Sequence, residues 1–370
     1  MSSLYYFGYY TYNSNPNDFK VFPGCNVKIS YILNCIKINN LPVNVISLGE
    51  SYTNKSSKNF KVDELENNYF VATCKGRIFS RLFLILQVLY ILFFKVKKSD
   101  VVIFYHVFYL LPIFKFAKYL KKFKLIIEVE ESYQAAWGNG DEKIKKEIEL
   151  LKNADGYIYV NDLLPNVIEK GKFYTVCYGN YSVYLRKKVN YTLKKIRMVY
   201  AGLINFNEHS DVVLAINTMQ YLSDRYSLSI AGYGSKIDIN LMNEYIQEKG
   251  LSDKVSYAGF FQGQEYDEYL TEFDIGLNPR MLQDQLSNYT FPSKVMSYLT
   301  HGLYVVSTPI QCIAASKVAN LVSLSNDNTA ESLSSAVLKI NFDCSHHQII
   351  DELHNNFVKD IGELIKNASH

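Results

Sequence analysis

The sequence predicts an α/β fold in which two Rossmann-like domains face each other across a cleft. From about residue 196 onward, short apolar runs alternate with helical ones, as in "YSLSIAGYG" followed by "NLMNEYIQEKG". This alternation is typical of a parallel sheet covered by helices. The first half repeats the pattern less regularly, with strand-like runs such as "DVVIFYH" and "KLIIEVE". The chain has 370 residues, 48% of them hydrophobic, which suffices for two domains.

The domain boundaries follow from this alternation. We predict an N-terminal domain at residues 1–190 and a C-terminal domain at residues 196–345, joined near "RKKVNYTLKKI". A helix at 348–368 is expected to complete the N-terminal domain. Ligands of such sheets bind at the carboxyl ends of the strands, so the cleft is the predicted active site.

Composition indicates a cytoplasmic protein. The six cysteines are scattered, without paired C-x-x-C spacing or histidines at zinc-ligand distance, which favours a reducing compartment. No signal peptide precedes the first strand-like run. The longest apolar run, "LFLILQVLYILFF" at 82–94, is too short to span a bilayer.

Small or turn residues close successive strands of the C-terminal domain. Gly202 closes "VYAGL", Gly232 closes "LSIAGYG" and Gly259 closes "VSYAGF", while Arg280 ends "LNPR". A glycine at such a position lets the backbone approach a ligand or change direction. Ordinary turn chemistry is the alternative for any one of them.

The stretch "NYTFPSKVMSYLTHG" (288–302) predicts a helix that starts at Pro292 and Ser293 and stops at Gly302. Lys294 then lies in the first turn. That end of a helix is already positive, so a cation there costs roughly a few tenths of a kcal/mol. A lysine that extends to solvent is one explanation.

A family resemblance offers another. The order "YAGL … LSIAGYG … VSYAGF … DIGLNP … FPSKVMSYLTHGLYVVST" resembles the donor domain of retaining glycosyltransferases with the GT-B fold, in particular family 4. The resemblance covers roughly residues 196–340. It implies that the domain binds a nucleotide-sugar, most simply a UDP-sugar, without a metal. The sequence also lacks the D-x-D carboxylate pair of metal-dependent transferases. A helix N-terminus and basic side chains, Lys294 and Arg280, would then neutralise the diphosphate. The implied donor-binding residues are Gly24, Gly202, Gly232, Gly259, Phe260, Arg280, Tyr289, Pro292, Ser293, Lys294 and Ser297.

The sequence departs from the family at two places. Typical members carry two glutamates where this chain has Tyr289 and Ser297, and the second glutamate usually holds the ribose hydroxyls. Typical members also have an arginine and a lysine after the first glycine, whereas "AGLINFNEHSD" has neither. Arg280 and Lys294 must therefore carry more of the phosphate charge. These departures indicate either divergence or lost activity.

The first half contributes weaker candidates. Pro23 and Gly24 precede an amphipathic helix and resemble the family's glycine-containing loop. Glu130 matches a family histidine that lies against the transferred sugar, where a carboxylate could orient hydroxyls or take the acceptor's proton. His106 ends "DVVIFYH" and is either a site residue or a packed strand end; Glu131 is the alternative surface or capping acid. The predicted catalytic residues are Glu130, His106, Arg280 and Lys294.

A basic segment suggests a membrane partner. Between Lys75 and Lys124 the only acid is Asp100, against eleven lysines and arginines. In "LPIFKFAKYLKKFK", Lys115, Lys118 and Lys122 share one helical stripe and apolar residues share another. Such a helix suits the anionic inner face of the cytoplasmic membrane. Nucleic acid is a rival partner without an accompanying motif, and a solvated face is the third interpretation.

We therefore predict a glycosyltransferase that moves a sugar, most simply a hexose, to a glycan or lipid-linked glycan in bacterial capsule, O-antigen or exopolysaccharide synthesis. Retention of configuration is implied by the resemblance alone. A non-catalytic nucleotide-sugar-binding subunit is the main alternative, given Tyr289 and Ser297. A dinucleotide oxidoreductase would need a fuller G-x-G-x-x-G than "GYGSKID" provides.

Overall fold

The computed structural model of the protein describes residues 2–11, 23–48, 59–63, 66–70, 77–131, 140–184, 195–280, 289–342 and 346–369. The chain forms two compact units, Met1–Asn180 with His354–His370 and Tyr181–Leu353. The first unit thus ends before the predicted boundary at 190, and the second continues past 345. The predicted linker and Lys75 lie largely or wholly outside the described residues.

The first unit is built on an eight-stranded sheet with the order β3-β4-β2-β1-β5-β6-β7-β8. Its strands are β1 Leu4–Gly8, β2 Val43–Ser47, β3 Asn59–Asp63, β4 Glu66–Phe70, β5 Val101–Tyr105, β6 Lys124–Val129, β7 Gly156–Tyr159 and β8 Phe173–Val176. Neighbouring strands are parallel except for the antiparallel pair β3 and β4 at one edge. The sequence predicts strands at "LYYFGYY", "VNVISLG", "DVVIFYH", "KLIIEVE" and "GYIYVN", and these are present as β1, β2, β5, β6 and β7; β3, β4 and β8 were not predicted.

Helices cover this sheet: α1 Pro23–Ile38, α2 Arg77–Tyr90 with a π-helical turn Ile91–Lys95, α3 Leu111–Lys121, α4 Asp141–Leu151, α5 Leu164–Val167 and, from the end of the chain, α12 His347–Ser369. The last helix packs on α1, where Tyr31 stacks on Phe357 at 5.7 Å. Tyr31 Oη also lies 2.9 Å from His354 Nδ1, and Asn39 Nδ2 donates to the Val358 carbonyl at 2.7 Å. The described helices include none long and apolar enough to cross a bilayer.

The second unit is built on six parallel strands with the order β11-β10-β9-β12-β13-β14. They are β9 Ile196–Ala201, β10 Tyr226–Ala231, β11 Val255–Gly259, β12 Ile275–Asn278, β13 Tyr304–Ser307 and β14 Val322–Leu324. All six coincide with runs from which the sequence predicts strands: "RMVYAGL", "YSLSIAGYG", "KVSYAGF", "DIGLNP", "LYVVST" and "NLVSLS". The strand order reverses between β9 and β12. In open α/β sheets this reversal opens a crevice beyond the carboxyl ends of those strands.

Six α-helices alternate with these strands, one after each: α6 Asp211–Thr218, α7 Lys236–Glu248, α8 Gln264–Leu270, α9 Ser293–Thr300, α10 Gln311–Ala314 and α11 Ala330–Leu338. Hydroxyl side chains cap three of their N-termini. Ser210 accepts from the Val213 N–H and starts α6, while Ser235 and Thr329 do the same for α7 and α11. Such caps satisfy N–H groups that a helix start leaves free.

Candidate functional site

Helix α9 begins without a side-chain cap. Its N-cap is Pro292, which has no side-chain acceptor, and the first helical residue, Ser293, is exposed. The helix ends as predicted: Gly302 has φ +73°, its N–H bonds the Leu299 carbonyl at 3.0 Å, and the Leu303 N–H bonds the Tyr298 carbonyl at 3.0 Å. This is the Schellman arrangement, in which glycine takes the left-handed position. The start of α9 therefore presents N–H groups with no capping side chain from its N-cap residue.

Lys294, the second residue of α9, folds back over the end of β9. Its Nζ lies 4.4 Å from the centre of the Tyr200 ring, close enough for a cation–π contact. A Cβ added at Gly202 would lie 3.1 Å from the same Nζ. Burial lowers the pKa of Lys294 to about 8; the charge of Asp211 opposes this change and that of Arg280 adds to it. The Lys294 side chain is therefore not extended into solvent, which was the alternative explanation for a lysine at this position.

The three predicted glycines lie side by side at the carboxyl edge of the sheet. The Gly202 N–H donates to the Ala231 carbonyl at 3.0 Å, and the Gly232 N–H donates to the Gly259 carbonyl at 2.9 Å. Gly232 has φ +152°, and a Cβ there would lie 1.7 Å from the Gly202 carbonyl oxygen. Only glycine permits this approach of β9 and β10. Gly259 has φ +102° and open space where a Cβ would be.

Arg280 lies at the strand reversal. It follows β12, the neighbour of β9, and is partly buried. Its Nη1 donates to Thr290 Oγ1 at 3.2 Å, and its carbonyl accepts from Thr308 Oγ1 at 2.7 Å. These contacts fix the residue at both ends. The charge of Arg280 adds to the lowering of the Lys294 pKa, so the two cations influence each other.

The other predicted residues of this unit have contacts of their own. Ser297 is partly buried on α9 and its Oγ donates to Tyr266 Oη at 3.4 Å. Tyr289 lies in the turn before α9, partly buried. Phe260 is 52% exposed and contacts Tyr233 edge to face at 5.7 Å. Tyr233, a flanking aromatic after β10, was missed by the sequence analysis.

In the first unit, Glu130 pairs with a lysine that the sequence analysis did not single out. Glu130 follows β6, and its Oε1 lies 2.5 Å from Nζ of Lys28 on α1. Lys28 is only 7% exposed. Burial, the largest single cause, lowers its pKa, but the charges of Glu130, Cys177 and Glu128 together outweigh it and the net direction is upward. Pro23 and the exposed Gly24 form the first residues of α1 rather than a loop before it.

A second carboxyl group lies beside this pair. Glu128, within β6, is fully buried, and the Tyr6 hydroxyl of β1 donates to its Oε2. Burial, and then the charge of Glu130, raise the pKa of Glu128 to about 8. Two signals for these residues were present in the sequence: an acid inside the apolar run "KLIIEVE", and a lysine among the apolar residues of α1.

His106 is not an accessible member of the cluster formed by Glu128, Glu130 and Lys28. Its side chain is 1% exposed, and Nε2 lies 3.5 Å from Oε1 of Glu147, a buried residue of α4. Burial lowers the pKa of His106 to about 3, so the ring is neutral near pH 7. His106 is therefore better interpreted as a packed residue at the end of a strand than as the predicted catalytic residue. Glu131 is partly buried at the same strand end.

Two units built on parallel sheets, each covered by helices, define the class: the chain has the GT-B fold of glycosyltransferases. Similar structures are sucrose-phosphate synthase from Thermosynechococcus elongatus (TM-score 0.66, 11% identity, 99% of this chain and 96% of that chain), HepE from Anabaena in complex with UDP (0.62, 10%, 98% and 98%) and the lipopolysaccharide outer core galactosyltransferase WaaB in its apo form (0.60, 14%, 99% and 98%). At such identities the likeness establishes the fold.

A similarity to a known family covers most of the second unit. Residues 195–341 match the family model described as Glycosyl transferases group 1. This part of the chain is similar to a domain of that family, and the whole chain has the fold of the GT-B glycosyltransferases. The predicted resemblance is confirmed to this extent. No curated protein sequence matches the chain significantly.

Proposed function

We propose that the protein transfers a hexose from a UDP-sugar to a glycan or lipid-linked glycan acceptor, with retention of configuration, in the synthesis of a bacterial capsule, O-antigen or exopolysaccharide. The position of Lys294, at an uncapped helix start and over the glycine edge, carries the donor part of this proposal. Two similar structures support the rest: one contains UDP and the other is a lipopolysaccharide galactosyltransferase.

In this proposal the second unit holds the donor diphosphate without a metal ion. The N–H groups at the start of α9 bind a phosphate, and Lys294 and Arg280 supply positive charge. A bound diphosphate stabilises the protonated form of Lys294, whose pKa burial has lowered. The same groups stabilise the charge that develops on the leaving diphosphate, and because they are fixed in advance they need little reorganisation.

Binding of UDP and of uridine to a Lys294→Ala variant tests the donor site. The variant should lose roughly 1.5–3 kcal/mol of UDP affinity, the value of a hydrogen bond to a charged group, and little uridine affinity. Lys236→Ala is the matched control, since Lys236 is also a first-turn lysine of the same unit but is exposed. Equal losses for UDP and uridine would remove Lys294 from the phosphate site.

Glu130 is the group that we assign to the transferred sugar. Its carboxylate steadies positive charge on the sugar or takes the acceptor's proton. Glu130→Gln should lower transfer about 10²–10⁴-fold, the usual range for such a group, with donor affinity nearly unchanged. Glu131→Gln is the control. Unimpaired transfer by Glu130→Gln would exclude this role.

The alternative function is that of a nucleotide-sugar-binding subunit without turnover. Tyr289 and Ser297, which stand where the family usually has glutamates, favour it. Failure to detect transfer from any UDP-sugar that the protein binds would support this alternative over the enzyme.

We also propose that the first unit binds the anionic inner face of the cytoplasmic membrane. Helices α2 and α3 expose large apolar side chains, which we call the aromatic face: Leu82, Phe83, Leu86, Tyr90, Phe94, Phe116, Tyr119 and Leu120. The Phe93 and Phe116 rings, 6.5 Å apart, connect the two helices. Exposed cations lie in the same segments: Lys95, Lys97, Lys98 and Lys122.

The structure revises the predicted lysine stripe of α3. Lys118 pairs with Asp155 at 2.9 Å, and Lys115 donates to the Glu149 carbonyl at 3.4 Å. These two lysines therefore have partners within the unit. The exposed aromatic side chains, with the remaining cations around them, are the better candidates for membrane contact.

Vesicle co-sedimentation tests the membrane proposal. Wild-type protein should bind vesicles that contain phosphatidylglycerol more than neutral vesicles, and less at high salt. The double variant Phe94→Ser, Phe116→Ser should be released, whereas Tyr221→Ser, an exposed aromatic of the second unit, should bind normally. Wild-type protein that ignores anionic vesicles at low salt would refute the proposal.

A further inference from the structure

Two carboxyl groups at the carboxyl end of β6, those of Glu128 and Glu130, interact with one cation, Lys28. Lys28 Nζ lies against Glu130 Oε1, so the ammonium is directed to Glu130. Glu128, two residues earlier, is fully buried. Its Oε2 accepts from the Tyr6 hydroxyl, and in the described residues no hydrogen-bond donor reaches its Oε1. An ionised carboxylate in this position would be buried with one oxygen unsatisfied, which is strongly unfavourable.

Among the described residues, the groups around Glu128 add no second cation. Tyr6 of β1, Lys28 of α1 and Glu130 act on Glu128 directly. Cys25 of α1 and Cys177 after β8 interact with both carboxyl groups, and Tyr105 of β5 and Glu131 interact with Cys25. Among these described groups Lys28 is the single positive charge. One buried cation balances one carboxylate. Two neighbouring carboxyl groups under these conditions share a proton, because like charges at close range cannot both ionise.

We propose that Glu128 and Glu130 form a carboxylic acid–carboxylate pair that keeps one proton on Glu128 at neutral pH, and that Glu128 is thereby a positioning residue for Glu130. The effect on sugar transfer rests on the proposed function, whereas the proton on Glu128 does not. The Glu128 hydroxyl donates from Oε1 to the Glu130 carboxylate, while Tyr6 holds Oε2. Glu130 is then held from two sides, by Lys28 and by Glu128.

The pair has a defined response to pH. Burial and the charge of Glu130 raise the pKa of Glu128 to about 8. Below this pH the site carries one negative charge, which Lys28 balances. Above it, two carboxylates repel each other, and the hydrogen bond that positions Glu130 is lost. Transfer should therefore fall on the alkaline side.

Infrared difference spectroscopy of the whole protein tests the proton directly. The carbonyl stretch of a protonated carboxylic acid should be present at pH 7 in wild type, disappear as pH rises through about 8, and be absent from Glu128→Gln. In Glu130→Gln the band should titrate at lower pH, since the neighbouring charge is gone. Glu131→Gln should leave it unchanged. Identical pH 7 spectra for wild type and Glu128→Gln would overturn the proposal.

The pH profile of transfer tests the positioning role. Glutamine keeps the shape and the donor capacity of the protonated acid, so Glu128→Gln should shift the alkaline fall of the rate by at least one pH unit. Glu128→Ala, which cannot donate, should lower the rate across the range. An alkaline limb that is unchanged in Glu128→Gln would overturn the positioning role. Absence of wild-type transfer would refute the proposed function and leave the infrared result standing.

Discussion

Replacement of Lys294 by methionine should stabilise the ligand-free protein while it weakens UDP binding. The pKa of Lys294 is lowered from 10.5 to about 8, and at 1.36 kcal/mol for each pH unit the protonated form is disfavoured by about 3 kcal/mol. Methionine fills a similar volume without a charge. It loses the contact with the Tyr200 ring, which is worth about 0.5–2 kcal/mol. The net gain at pH 7 is therefore roughly 1–3 kcal/mol.

The sign of the pH dependence makes this prediction specific. The pKa of Lys294 is lower in the folded state than in the unfolded state, so the unfavourable contribution is complete below pH 8 and is relieved between about 8 and 10.5. The difference between Lys294→Met and wild type should shrink over that range.

Urea unfolding at pH 7 and pH 10, with and without saturating UDP, measures all of these quantities. UDP should stabilise wild type more than the variant, because only wild type carries the counter-ion. Lys236→Met is the control, with an exposed lysine. A variant that is less stable than wild type at pH 7 without ligand would refute the argument from burial, and one that binds UDP as tightly would refute the phosphate role.

Three further outcomes can be checked. Gly232→Ala should lose roughly 2–3 kcal/mol in urea unfolding, because its Cβ would lie 1.7 Å from the Gly202 carbonyl oxygen. Ser297→Glu, beside Tyr266, should raise the preference for UDP over dideoxy-UDP about tenfold by adding a ribose partner; an unchanged ratio would argue against this position. The stability of Glu128→Gln relative to wild type should increase as pH rises from 4.5 to about 8. The reason is that the Glu128 carboxyl loses its proton at lower pH in the unfolded chain than in the folded protein. Urea unfolding at pH 5, 7 and 9 tests this, and a constant difference between variant and wild type would contradict it.

The sequence predicted the second unit better than the first for a physical reason. Its central strands β9, β12 and β13 are mostly buried and read as apolar runs. Three of its helices have hydroxyl caps, and α9 has a glycine stop. Strands β3 and β4, "NFKVD" and "ENNYF", are short, polar and paired antiparallel at a sheet edge. Such segments lack the apolar signal that identifies a buried strand.

The candidate site was likewise predicted in one part and not in the other. The placement of Lys294 could be predicted because helix start, cation and stop are close in sequence. The partners of Glu130 could not, since Lys28 is 102 residues away and Tyr6 lies 122 residues from Glu128. The spacing of residues in the sequence does not predict contacts between residues that are so far apart. The burial of His106 depends likewise on Glu147 of α4, a contact that only the tertiary structure provides.

The return of α12 to the first unit affects the order in which apolar surface is covered during synthesis. The second unit, Tyr181–Leu353, is one uninterrupted stretch, so all of its strands have left the ribosome before α12 is complete. The first unit must wait, with Tyr31 and its neighbours on α1 uncovered until Phe357 arrives. Domains usually complete in the order in which they are made. Here the unit that begins first is finished last, and a circular permutant that places 354–369 ahead of β1 would remove the wait.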